Sequence, residues 1–179
     1  MKVLIEDVKG WRGKEDGGRA HKAVVFSQWT SVLDIMARCL DQEEIMYERL
    51  DGSMSRATRD AAMESFRQSE DIPVFLMSLK AGNLGVNMTV ANHVYMMDPW
   101  WNPATEDQAV DRVYRLGQKR NVHVNHFVIK DSVEEKILQI QLRKRKLIES
   151  AMGLQSKEDQ KQQRKSEWLD DLKDLFTSK

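Results

Sequence analysis

The sequence predicts an α/β protein built around a mostly parallel sheet, and two observations carry that expectation. Short apolar runs alternate along the chain with amphipathic stretches of helical period, and such alternation implies right-handed crossovers with helices on both faces of the sheet. With 179 residues, 41% of them hydrophobic, the chain is also long enough to bury one core and leave a tail.

Lys2 to Lys9 reads as a short leading helix, followed by a polar, glycine-rich loop from Gly10 to Gly18 (GWRGKEDGG). AVVFS (Ala23 to Ser27) is the first strand, then a helical pattern runs from about Ser31 to Glu43. YERL (Tyr47 to Leu50) is a second strand, and Ser55 to Phe66 a second helix of this series. PVFLMS (Pro73 to Ser78) and HVYMM (His93 to Met97) follow as strands. Asn102 and Pro103 supply an N-cap and a first-turn proline for a helix that Gly117 closes. HVNHFVI (His123 to Ile129) is the last strand; a long helix then runs from Ser132 to about Met152, with Ser132 and Glu135 as a capping box. After Gly153 the segment LQSKEDQKQQRKSE is too polar to fold alone, and WLDDLKDLF restores helical spacing through Trp168, Leu169, Leu172, Leu175 and Phe176. The expected division is residues 1–19, leading helix and loop; 20–152, the α/β lobe; 153–179, linker and docking helix. No internal repeat is evident.

The single cysteine, Cys39, excludes a disulfide framework and favours a reducing, intracellular compartment. No apolar run reaches the length of a membrane span and no signal-peptide core is seen, so no membrane partner is expected. Lys plus Arg and Asp plus Glu each total 28, so any nucleic-acid site has to be local or shared.

Two constellations carry chemistry. In EDQAVDRVYRLGQKR (Glu106 to Arg120), Gln108, Arg112 and Arg115 follow i, i+4, i+7 spacing, while Ala109, Val113 and Leu116 form a separate apolar stripe able to face the sheet. Planar guanidinium groups suit bidentate contact with phosphate oxygens and can stabilise a phosphoryl transition state. The alternative is a solvated face on which Asp107 and Asp111 pair with the arginines. The second, SLKAGNLGVNMT (Ser78 to Thr89), follows an apolar strand: Gly82 and Gly85 permit positive φ and close backbone approach to an anion, Asn87 adds donor and acceptor, and Lys80 adds a point charge. It stands at the carboxyl end of a strand, where open α/β sheets place ligands. An ordinary glycine-bearing turn is the plainer alternative.

Together with VVFSQWT (Val24 to Thr30), RLDGSMSRATRDAAMESF (Arg49 to Phe66) and DPWWNP (Asp98 to Pro103), these stretches resemble, in order, the C-terminal RecA-like lobe of Swi/Snf-type DNA-translocating ATPases, members of helicase superfamily two. The resemblance covers about residues 20 to 152. DPWWNP and KDSVEEKILQIQLRKRKL are most similar to the subgroup of the helicase-like transcription factor, its fungal post-replication repair counterparts and transcription termination relatives.

The resemblance implies roles position by position. Arg112 and Arg115 become arginine fingers reaching ATP with Mg2+ on the N-terminal RecA-like lobe; Gln108, Gln118, Gly85 and Asn87 lie at the nucleotide end of the cleft. Ser78, Lys80 and Gly82 lie near a DNA strand, and Ser27, Gln28 and Trp29 form the DNA-facing end of the lobe, direct contact being weakest for Trp29. Implied partners are double-stranded DNA, the N-terminal lobe and chromatin or repair proteins, in the nucleus. Asp111 departs from the small residue, commonly glycine, seen in the family, Tyr114 from histidine and Asn83 from glycine.

No GxxxxGK[ST] occurs, Gly13-Lys14 being followed by Glu15, and no DEAH-type acidic box. Arginines alone cannot position an attacking water and a leaving group, so this chain by itself is expected not to hydrolyse ATP. It reads as half of a motor whose other half lies upstream or has been lost. The rival reading is a non-catalytic DNA- or protein-binding module derived from such a lobe; an RNA helicase lobe matches DPWWNP less well. His123 and His126 fall on opposite faces of a strand without a carboxylate cluster, so no metal is expected. Arg143 to Lys146 (RKRK) reads as a solvated helix face, and at least one of Trp100 and Trp101 as packed.

Overall fold

The computed structural model describes residues 1–82 and 85–151; the linker and docking helix expected after Gly153 lie outside the described residues. Helix α1 (Lys2–Trp11) leads into an antiparallel pair, β1 (Glu15–Asp16) and β2 (Arg19–Ala20). Then come β3 (Ala23–Ser27), α2 (Thr30–Gln42), β4 (Tyr47–Leu50), α3 (Arg56–Gln68), β5 (Val74–Ser78), the short α4 (Leu79–Gly82), β6 (His93–Met96), α5 (Pro103–Val110), β7 (His123–His126) and α6 (Val133–Ala151). Strands β3 to β7 form one sheet in the order β4-β5-β3-β6-β7, and every neighbouring pair is parallel. The chain separates into two units, Met1–Asp98 with Ala104–Phe127, and Pro99–Pro103 with the chain from Val128.

Both faces of this sheet are covered, so β3 and β5 are apolar at nearly every position and buried throughout. Side chains alternate between faces. On one face Ala23, Val25, Val74, Leu76 and Tyr95 pack with Leu4, Val8 and Trp11 of α1 and Leu33, Met36 and Leu40 of α2; Cys39 packs against this cluster, half-buried. On the other, Phe75 meets Phe66 of α3 edge to face at 5.0 Å. Ser55 accepts from the Thr58 N–H (3.2 Å) and starts α3. At its other end the buried Lys22 donates to the Phe66 and Ser69 carbonyls, and burial lowers its pKa.

Four expectations need correction. The Gly10 to Gly18 loop contains a hairpin, because Gly17 (φ 62°) and Gly18 (φ 74°) both occupy the left-handed region that a two-residue turn between twisted strands requires. β6 and β7 stop at Met96 and His126, short of Met97 and Ile129. The start of α6 is fastened by Glu134 in place of Glu135: the Glu134 N–H donates to Ser132 Oγ (3.1 Å), and the Glu134 carboxylate reaches back to the Ile129 N–H (2.7 Å). Finally α5 ends at Val110, seven residues before Gly117, and residues 111–117 form turns.

Candidate functional site

Because all five strands run the same way, their carboxyl ends share one edge, where Ser27, Gln28, Ser78 and Lys80 stand. The arginine segment and Gln118 are instead bonded to residues 88–91, which lead into the start of β6. Ser27 ends β3 beside Ser78 of β5, its register partner. Ser27 is fully buried. Its hydroxyl donates to Asp98 Oδ2 and accepts from the Trp29 N–H (3.0 Å), while the Gln28 N–H donates to Asp98 Oδ1 (3.0 Å). This places Ser27 inside the lobe, where it shapes the turn; Gln28 is half-buried and Trp29 is 58% exposed at the start of α2.

Ser78 is likewise buried and accepts from the Ala81 N–H (3.3 Å), starting α4. Lys80 is exposed on α4. Gly82 is helical, and positive φ belongs to Gly85 alone of the two (72°). Asn87 is exposed and its Oδ1 accepts from the Thr89 N–H (3.0 Å), an Asx turn. The next residue, Met88, is buried and donates its N–H to the Arg112 carbonyl (2.9 Å), joining the glycine-bearing loop to the arginine segment by backbone alone.

That bond also accounts for the early end of α5. The Arg112 and Val113 N–H groups donate three residues back, to Ala109 and Val110, and Arg112 offers its carbonyl to Met88. Ala109 and Val113 are buried as expected, but Leu116, assigned by its spacing to the apolar stripe, is fully exposed (101%). Gln108, Arg112 and Arg115 therefore do not share one helical face: Gln108 is exposed on α5, Arg112 is half-buried and Arg115 exposed in the turns. Among the described residues, Arg112 Nε is buried without a hydrogen-bond partner.

Gln118 acts inside the lobe. Its Nε2 donates towards the Ala91 (2.7 Å), Thr89 (3.1 Å) and Val113 (3.3 Å) carbonyls, and its Oε1 accepts from the Arg120 N–H (3.1 Å). The Arg120 guanidinium continues the tie, to the Ala20 carbonyl (2.9 Å) and the Val90 carbonyl. Both halves of the Gln118 amide are engaged, so it holds the arginine segment against the loop. Glu106 on α5 is buried with its carboxylate 3.7 Å from His126 Nδ1. At the end of β4, Asp51 accepts from the Ser53 hydroxyl (2.6 Å) and Arg49 Nε (2.8 Å), which lower its pKa, the Ser53 hydroxyl first. Sequence reasoning assigned no role to Asp98, Glu106 or Arg120; an acid placed directly after an apolar strand was the available signal for Asp98.

At the opposite edge, where the strands begin, His93 stacks between Trp11 (4.9 Å) and His123 (5.1 Å) and lies 3.2 Å from His21 Nδ1. Burial, then the neighbouring His123 and His21, lower its pKa to about 4. Burial also pushes up the Tyr95 hydroxyl, which donates to Asp7. Within the second unit, Trp101 is 42% exposed with Lys144 Nζ 4.5 Å from its ring centroid, and Gln141 donates to the Trp100 carbonyl. Among the described residues, no group of three or more His, Cys, Asp or Glu could hold a metal ion. The buried Nε of the half-buried Arg112 suits an anion, but among the described residues no carboxylate set suits Mg2+.

Sheet and strand order define the class: a RecA-like lobe in which a glycine-bearing loop follows β5 and is bonded to an arginine segment. The chain belongs to the helicase conserved C-terminal domain family, matched over residues 5–117, in its Swi/Snf-type branch. It is similar to Helicase-like transcription factor CHR28 of Arabidopsis thaliana, with 46% identity over 151 residues, 84% of this chain and 15% of that protein. DNA repair protein rad8 of Schizosaccharomyces pombe is 45% identical over 155 residues, covering 87% of this chain and 13% of its own length. The crystal structure of the C-terminal part of the Fun30 ATPase domain superposes with a TM-score of 0.72 at 36% identity, over 78% of this chain and 44% of that one. The chain thus spans well under a fifth of the length of these curated relatives.

Proposed function

We propose that this chain is the second motor lobe of an ATP-dependent double-stranded DNA translocase that remodels chromatin or other protein–DNA complexes in the nucleus. The observation that carries this reading is Arg112: a guanidinium whose Nε is buried yet has no hydrogen-bond partner among the described residues, on a segment bonded to the Gly85–Met88 loop. Leaving such a donor unsatisfied is costly unless an anion completes it. Relatives named for DNA repair and for transcription support DNA as the track.

On this reading Arg112 and Arg115 approach a triphosphate held by an N-terminal lobe and stabilise the charge that develops on the transferring phosphoryl group. Mg2+, held there, would neutralise the phosphate oxygens. Gln108, Gly85 and Asn87 border the nucleotide. Lys80, on α4, meets a DNA phosphate, and the Met88–Arg112 bond ties the chain after Gly85 to the nucleotide-side arginines. Gln118 is a positioning residue in this scheme, as are Ser27 and Ser78.

Joined to its N-terminal lobe, the protein is expected to hydrolyse ATP with stimulation by duplex DNA exceeding that by RNA. Equal turnover with and without duplex would refute DNA as the track, and no turnover under either condition would favour a non-catalytic module.

A further inference from the structure

At the carboxyl edge stands a buried acid, Asp98, that the proposed mechanism leaves unused. Asp98 is 7% exposed, two residues past the end of β6, and its two oxygens serve different residues of one turn: Oδ2 takes the Ser27 hydroxyl and Oδ1 the Gln28 N–H (3.0 Å). Ser27 in turn takes the Trp29 N–H (3.0 Å). Three successive residues at the end of β3 therefore depend on one carboxylate. Charge-assisted hydrogen bonds are about twice as strong as neutral ones, and a buried carboxylate with its donors fixed has little freedom to release them. The residue held at the end of this chain of bonds, Trp29, keeps 58% of its surface in solvent and has no side chain capping α2 behind it. A large aromatic kept exposed by a buried polar network is the arrangement expected of a contact surface, since the network fixes an orientation that burial does not.

We infer that Asp98 is a positioning residue for the DNA-facing end of the lobe: through Ser27 it fixes the turn that presents Gln28 and Trp29 to the duplex. This rests on the proposed function for its DNA partner, while the bonding network itself does not. Without the carboxylate the Gln28 and Trp29 amides lose their fixed acceptors, the turn samples several orientations, and the lobe grips DNA less well at unchanged nucleotide affinity.

The test uses the two-lobe ATPase and its D98A, D98N and S27A variants, with two readouts. Amide hydrogen exchange at Gln28 and Trp29 should be slow in the parent protein, fast in D98A and intermediate in D98N, whose remaining carbonyl still accepts from Gln28. The duplex concentration for half-maximal ATPase stimulation should rise about tenfold in D98A, the equivalent of removing one hydrogen bond to a charged group, without a matching change in KM for ATP. S27A should shift it in the same direction while exposing only the Trp29 amide, which keeps the test informative where D98A folds poorly. Unchanged amide protection in D98A overturns the positioning role. Faster exchange with unchanged DNA half-saturation overturns its link to DNA, and a parent protein indifferent to duplex DNA overturns the proposed function instead.

Discussion

Two short segments of the lobe treat their polar groups in opposite ways. Around Ser27 the hydroxyl and the next two amides are tied, directly or through Ser27, to one buried carboxylate. Around Arg112 the backbone is tied just as firmly, by Met88 and by Gln118, yet the guanidinium Nε has no partner among the described residues and Arg115 is exposed. The difference separates two kinds of group: one that shapes a turn is completed from within the chain, whereas the one to which the proposed function gives a partner on another lobe is held by its backbone, with its Nε left open.

The largest expected effect breaks this comparison if it fails. In the two-lobe protein R112A should lower ATP turnover by about a thousandfold or more, the scale of an arginine finger, with a melting temperature unchanged because no internal bond is removed. R112K should not restore turnover, since an ammonium lacks the planar fork. A large drop in melting temperature with intact turnover would make Arg112 a structural group like Ser27.

A smaller effect lies where the strands begin, at His93. His93 is neutral in the folded state, its pKa lowered to about 4, whereas an unfolded histidine titrates near 6.5. Its contribution is therefore complete above pH 6.5 and declines as pH falls towards 4, since the unfolded chain binds the extra proton first. Denaturant unfolding should show a loss on the order of 2 kcal/mol across that window, and H93F should flatten the curve. The groups facing His93 are His21, His123, Asp7 and Arg120, and an H93F curve as steep as the parent's would remove His93 as the source of the slope.

The smallest effect concerns the exposed Lys80. K80A should weaken duplex binding about severalfold and reduce the slope of log K against log salt by about one, as expected when a single phosphate is no longer neutralised. An unchanged slope would remove Lys80 from the DNA side of the comparison.

Much of this was legible before any coordinates. AVVFS and PVFLMS announced buried parallel strands because both faces of the sheet demand apolar residues, and Ser55 announced the start of α3 because its hydroxyl caps it. What stayed illegible was set by bonds between distant residues. Spacing carried α5 through to Gly117, but the Arg112 carbonyl is taken by Met88, and Leu116 points into solvent despite its helical register. Gln118 and Ser27 carry the residue types of contact groups; only their partners, Thr89, Ala91 and Val113 for one and Asp98 for the other, place them inside. Gly17-Gly18 was a turn signal within a stretch taken as irregular, and two-residue strands are too short for period to register.

The position of β3 has a consequence for how the molecule is made. It is the first strand of the sheet to leave the ribosome and also its centre, flanked by β5 and β6. Its earliest neighbour begins only at Val74, so at the usual pace of translation this largely apolar ribbon waits for several seconds with both hydrogen-bonding edges bare. Nascent chains halted within α3 are therefore the species that chaperones should hold longest, and yield in a cell should track the speed of synthesis across that interval more than the final stability of the lobe.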